Sequence, residues 1–218
     1  MMDVGDTMQS DRIEELKNKL LDEAEMVQNM LNIALVTQDP ESGFRRVSAL
    51  EDTVNALEKE IDELAIRLIA LYQPEAGDLR RILMMYRINI DLERLGDQAF
   101  NIAQSARKIP SYQMQEQQIN SMQEATVQML RTALKAFMDE DALAAESVCL
   151  NDRIVDDLNR EIYHLVRASI MQEPANTGSY LHLLRIAKNL ERCADLATNI
   201  AENTIYLVRG EDVRHTGI

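Results

Sequence analysis

The chain has 218 residues, a formal net charge of −14 and a pI near 4.7. So acidic a balance argues against a nucleic-acid partner, which requires clustered Lys and Arg for phosphate, and against anionic membrane surfaces; divalent cations and basic protein surfaces are what such a field attracts. Aromatic residues make up only 4%, Trp is absent, and seven Gly and four Pro stand against abundant Ala, Leu, Ile, Met, Glu and Asp, the composition of long helices.

Cys149 and Cys193 have neither metal-ligand spacing nor the pattern of a disulfide framework, and read as reduced, buried thiols. No apolar run approaches the roughly 20 residues needed to cross a bilayer, and Met1-Met2-Asp3-Val4-Gly5-Asp6 lacks the basic start of a signal peptide. The expectation is a cytoplasmic protein with no direct membrane insertion.

A first helix is expected over 8–37, capped by Ser10, with Ile13, Leu16, Leu20, Val27 and Leu31 along one stripe. Asp39-Pro40-Glu41-Ser42-Gly43 breaks it. A second helix follows over about 44–72, where Leu50, Val54, Leu57, Ile61, Leu64, Leu68 and Leu71 alternate spacings of four and three, the signature of a bundle seam. Gln73-Pro74 ends it, since the residue before proline is pushed out of helical geometry. A third helix, about 76–108, carries Ile88, Leu92, Leu95, Ala99 and Ile102 at the same alternation.

Lys108-Ile109-Pro110-Ser111 is the linker candidate, and the plan then restarts. Helices are expected over about 112–138, 140–171 and 177–208, with Glu173-Pro174 closing the fifth and Ile186, Leu190, Cys193, Ala197 and Ile200 on the seam of the sixth. The tail from Arg209-Gly210 reads as a helix stop and a polar end. No strand signal is present. The architecture expected is all-α, two tandem antiparallel three-helix bundles, divided as 1–109 and 110–218.

The internal repeat supports that division. Leu92-Glu93-Arg94-Leu95-Gly96-Asp97 recurs as Leu190-Glu191-Arg192-Cys193-Ala194-Asp195, and Asn101-Ile102-Ala103-Gln104 as Asn199-Ile200-Ala201-Glu202, both at an offset of 98 residues. Each copy places a Glu and an Asp four residues apart, which stacks two carboxylates on one helix face, where they repel by roughly 0.2–0.5 kcal/mol. Each residue advances about 100°, so Glu93, Asp97 and Asn101 form a polar stripe on the outer face, away from the Leu92–Leu95–Ala99 seam. Helices two and five add Glu51-x-x-x-Asn55 and Asp152-x-x-x-Asp156 at matching places. If the flanks of neighbouring helices meet, Glu51, Glu93 and Asp97 converge on one groove, and Asp152, Asp156, Glu191 and Asp195 on another. Carboxylates so close stay ionised only with a counter-ion.

Acidic outer faces of bundle helices are ordinarily solvated surface. Against that, Glu, Asp and Asn are kept in both halves while neighbours differ, as Gln98-Ala99-Phe100 does from Leu196-Ala197-Thr198. Glu161-Ile162-Tyr163-His164 has the Glu-x-x-His spacing of a di-iron carboxylate enzyme, but the matching Glu60-Ile61-Asp62-Glu63 has no His, so His164, like His182, reads as a partly exposed helix residue. No Gly-rich phosphate loop, nucleophile elbow or Cys/His pair is visible. Arg80 and Arg81 are either an anion site or surface ion-pair partners.

These repeated segments, with Gln73-Pro74 ahead of Asp78-Leu79-Arg80 and the closing Gly210-Glu211-Asp212-Val213-Arg214-His215, resemble the PhoU phosphate-uptake regulators of bacteria across nearly the whole chain. The resemblance implies two similar three-helix bundles and a role without catalysis. It implies a cytoplasmic adaptor that represses the phosphate-starvation response, between the ATPase of the phosphate ABC transporter and a sensor histidine kinase. It also implies metal on the bundle surface: iron or zinc, with manganese or magnesium as alternatives, held by Glu51, Glu93 and Asp97 in one half and by Asp152, Asp156, Glu191 and Asp195 in the other. Asn55 departs from the Glu/Asp-x-x-x-Asp pattern, which makes the first site the weaker one. A homodimer is expected as well. The alternative reading is a metal-storage or metal-dependent carboxylate enzyme, which needs a sequestered site with an open coordination position.

Overall fold

A computed structural model describes residues 4–36, 39–109, 116–211 and 213. It contains α1 (Val4–Val36), α2 (Pro40–Tyr72), α3 (Ala76–Ala106), α4 (Glu116–Asp139), α5 (Ala142–Gln172) and α6 (Thr177–Arg209), with one 3₁₀ turn at Pro174–Asn176. Among the described residues there is no strand.

The seams of α3 and α6 are as the spacing predicts: Ile88, Leu92, Leu95, Ala99 and Ile102, and Ile186, Leu190, Cys193, Ala197 and Ile200, are all fully buried. Other expectations need correction. Helix α1 already runs from Val4, so Ser10 lies inside it and caps nothing. Helix α2 starts earlier than its apolar pattern suggests, because Asp39-Pro40 opens the helix: the Asp39 carboxylate accepts from the N–H groups of Glu41 and Ser42, both at 3.1 Å, and Pro40 sits where its missing N–H costs nothing. Asp141 does the same for α5, accepting from Leu143 and Ala144 at 3.0 Å. Leu71, assigned to the α2 seam, is 70% exposed in the last turn. That helix ends at Gln73, whose φ of 45° is left-handed. Gly210, at φ 74°, stops α6 by donating to the Tyr206 carbonyl at 2.9 Å. Of the expected linker, Pro110 and Ser111 lie outside the described residues, as do positions 112–115 of the expected fourth helix.

Helices α1–α3 and α4–α6 form two three-helix bundles, and α3 packs along α6 as closely as it packs on its own neighbours. Helices α2, α3, α6 and α5 therefore stand side by side in that order, with α1 behind the first pair and α4 behind the second. Buried apolar side chains from both bundles form one continuous core. The outer layer has three grooves, α2/α3, α3/α6 and α6/α5.

Candidate functional site

The α2/α3 groove gathers the first set of carboxylates. Asn89 on α3 donates through Nδ2 to the Glu58 carbonyl at 3.1 Å and to Asp62 Oδ1 at 2.9 Å, fixing the register of the two helices. One turn further along α3, Glu93 and Asp97 are half-buried. This corrects the expectation of a free outer face, because the flank of α2 shields both side chains. Glu93 is raised above the ordinary carboxylate range, first by burial and then by Asp97, Glu58 and Glu51. Glu51 is raised by burial and by Asp52 and Asp97, and is partly relieved by a hydrogen bond from Asn55. Glu51, Glu93 and Asp97 are therefore brought together, and Asn55 in place of an acid lowers the charge density of this groove.

The α5/α6 groove gathers the second set. Asp152 is half-buried and pushed up to about 6 by burial, then by Asp156, Asp195 and Glu191. Asp195, on the exposed rim, is raised by partial desolvation and by Glu191. Lys188, one turn earlier on α6, pairs with Glu191. Among the described residues no three His, Cys, Asp or Glu side chains are already gathered into a cage that could hold an ion. Both grooves are instead lined with carboxylates, of which Glu51, Glu93, Asp152 and Asp195 are raised by burial and then by acidic neighbours, the condition a cation relieves.

One group escaped the sequence reading. Glu23 of α1 is fully buried, neither carboxylate oxygen has a partner, and its pKa is pushed up to about 9 by burial, then by Glu58, Glu93 and Asp62. It forms the floor beneath the α2/α3 carboxylates. The signal was present: with Leu20 and Val27 on the α1 seam, Glu23 falls on the turn between them, where an apolar residue belongs. Cys149, half-buried on α5, lies beside the second groove, with its thiol pushed up to about 11 by burial and by Glu202 and Asp152. Cys193 is fully buried, and both thiols are free.

Elsewhere, His164 is exposed and His182 half-buried. Arg81 is an ion-pair residue, bonded to Glu140 at 3.1 Å and near Asp78 at 3.6 Å, while the Arg80 guanidinium lies 5.6 Å from the Tyr206 ring centre. A cavity of about 530 Å³ lies between the start of α1 and the end of α4, beside Lys17, Asp78, Arg81, Phe137 and Glu140. It includes none of the groove carboxylates.

Fold and grooves together define a class: a duplicated all-α bundle protein with a carboxylate-lined groove in each half. The PhoU domain family matches residues 18–106 and again 119–204, so the chain belongs to the PhoU family. It is 37% identical over 211 residues to the phosphate-specific transport system accessory protein PhoU homolog of Aquifex aeolicus, covering 94% of this chain and 95% of that one. It is 32% identical over 209 residues to the phosphate-specific transport system accessory protein PhoU of Escherichia coli, covering 94% and 87%. Among solved structures, PhoU from Pseudomonas aeruginosa superposes with a TM-score of 0.89 at 31% identity, covering 93% of this chain and 99% of that one. The phosphate transport system regulatory protein PhoU from Streptococcus pneumoniae gives 0.85 at 27% identity, covering 94% and 99%.

Proposed function

We propose that this chain is an accessory regulator of a phosphate-specific transport system, a non-catalytic cytoplasmic adaptor that restrains phosphate uptake and the phosphate-starvation response when phosphate is plentiful. Its partners are the transporter ATPase and a sensor histidine kinase. The observation that carries this reading is the family match in both halves, over relatives named as accessory proteins of phosphate-specific transport. Among the described residues no helix is long and apolar enough to cross a membrane, so the link to a transporter runs through surface contacts.

The two acidic grooves bind metal ions in this reading, with Glu51, Glu93 and Asp97 in the weaker site and Asp152, Asp156, Glu191 and Asp195 in the stronger. Oxygen-only ligand sets suit hard or borderline cations, with water completing the shell. A catalytic reading would need a sequestered pocket, and the acidic residues line open grooves apart from the cavity at the start of α1.

Deleting the chain in its host tests the role. A phosphate-starvation promoter should become active in phosphate-rich medium and return to repression on complementation; a promoter that stays phosphate-repressed without the chain refutes it. Elemental analysis of protein purified without chelator tests the metal, with more than one ion per chain expected. A metal-free preparation whose thermal melt does not change on adding iron, zinc or manganese would return the grooves to ordinary solvated surface.

A further inference from the structure

The groove between α3 and α6 has the opposite character from the two that flank it. Arg87, Arg94 and Asn101 on α3 recur at the same offset of 98 residues as Arg185, Arg192 and Asn199 on α6. Spacings of seven residues place each trio on one flank of its helix. Two observations show that these flanks face one another: Arg185 donates through Nη2 to Asn101 Oδ1 at 3.3 Å, and the Asn199 side chain lies near enough to the Asp91 carboxylate to favour its charged form. Pairing 101 with 185 and 91 with 199 means the helices run antiparallel, related by an approximate two-fold axis. That register sets Arg94 level with Arg192 beside the axis, with Arg185 towards one end of the groove and Arg87 towards the other.

All four guanidiniums belong to exposed residues. Among the described residues only Arg94 has a carboxylate within ion-pair reach, Asp91 at 4.0 Å. Asp91 is buried, and its counterpart on α6 is the neutral Asn189, so this duplicated position carries one carboxylate and not two. Asn189 is only 4% exposed, and its Nδ2 donor has no partner. It lies on α6 between Arg185 and Arg192, on the flank that meets α3. In a chain of net charge −14, a duplicated set of four exposed arginines of which one makes an ion pair, together with a buried amide donor that has no partner, is a site for an anion. Two planar forks presented from opposite helices match the oxygens of a tetrahedral group better than those of a single carboxylate.

We propose that the α3/α6 groove binds a phosphoryl group, gripped at the two-fold axis by the guanidinium forks of Arg94 and Arg192, with Arg87 and Arg185 supplying the outer positive charge. Inorganic phosphate and a phosphorylated side chain of a partner protein share this chemistry. The site stands on the α3/α6 crossing alone and does not depend on metal in the acidic grooves.

The test is titration calorimetry on the full chain after chelator treatment, so that no metal holds the anion. One arm uses inorganic phosphate, and the other a phosphoserine peptide against its unphosphorylated form. Saturable binding of either phosphorylated probe at one per chain is expected, and the tighter probe identifies the source. Arg94→Gln with Arg192→Gln should weaken it by about tenfold to a hundredfold, from the loss of two charge-assisted contacts. Arg153→Gln with Arg160→Gln, at exposed positions of α5, should leave it unchanged and controls for net charge. Arg94→Lys with Arg192→Lys keeps the charge but not the forks and should fall between. Absence of saturable binding in both arms overturns the proposal, as does a glutamine double variant that binds like wild type. A lysine pair equal to wild type overturns the bidentate grip. Thermal melts should show each variant fully folded at the titration temperature.

Discussion

Replacing Glu23 by Gln isolates the cost of a carboxyl group sealed in the first bundle. Burial and three neighbouring acids raise its pKa from 4.5 to about 9 in the folded chain. The unfolded chain ionises this group near its ordinary value, so the folded state binds the extra proton throughout that window. Folding stability is accordingly greatest below the lower value, falls as pH rises towards 9, and levels off above it. The slope is about 1.4 kcal/mol per pH unit, so from about pH 5.5 to about pH 8 this one group removes about 3 kcal/mol. Gln has nearly the same shape and no proton to lose. Burying its amide without a partner costs about 1–3 kcal/mol, but equally at both pH values. The readout is therefore a difference of differences. Urea unfolding of wild type and Glu23→Gln, both metal-free, at the two pH values cancels Asp91 and Asp152, which titrate alike in each protein. The variant should gain about 3 kcal/mol on wild type between the lower and the higher pH. Identical pH dependence in both proteins would refute the claim that Glu23 is held as the neutral acid.

Asp152→Ala with Asp195→Ala should reduce bound metal more than Glu51→Ala with Asp97→Ala, because Asn55 already thins the first site; equal losses on elemental analysis would refute that ranking. Metal affinity in the second groove should begin to fall as pH drops below about 6, where protons compete for Asp152, and titration against a metal indicator between neutral pH and 5 would show it. Gly96→Ala should stabilise by about 0.5–1 kcal/mol in urea unfolding, since an added Cβ meets Val54 Cγ1 at 3.5 Å and Met30 Cε at 3.7 Å, ordinary contact distances, and Ala194 already occupies the matching position of α6. Asp39→Ala should cost about 1 kcal/mol, seen as a drop of about 2–4 °C in Tm, by uncapping two N–H groups of α2.

Much of the architecture was legible because the apolar alternation of α3 and α6 is both regular and duplicated, and because Gln73-Pro74 and Gly210 act locally on the backbone. The start of α2 was misread because Asp-Pro is both a helix breaker and a good helix opening; what decides between them is whether the Asp side chain turns onto the following N–H groups. Leu71 fits the α2 period but is left uncovered in its last turn, a matter of where the neighbouring helices end. Glu23 sits within the apolar stripe of α1, between Leu20 and Val27, and the stripe by itself does not show that its one charged member is buried with it. The half-burial of Glu51, Glu93, Asp97 and Asp152 was not legible, since a helix's own period locates its core and not how far the next helix overlaps its flank. The arginine groove needed the crossing of α3 on α6, which no local pattern contains.

The repeated Glu-Arg dipeptide explains how one surface carries three grooves of alternating charge. Successive residues are about 100° apart on a helix, so Glu93 turns towards α2 while Arg94 turns towards α6, and Glu191 turns towards α5 while Arg192 turns towards α3. Duplication followed by antiparallel packing of α3 on α6 then joins the two arginine flanks and separates the two glutamate flanks. Filling an acidic groove with cations would weaken the field that Glu93 and Glu191 impose on the arginines beside them, and raise the affinity of the central groove for an anion. Linkage makes this reciprocal: an anion held between Arg94 and Arg192 would strengthen cation binding on either side by the same factor. Phosphoryl affinity measured with and without metal, together with metal affinity measured with and without phosphate, should show equal factors. A factor of one in both directions would mean that the grooves act independently.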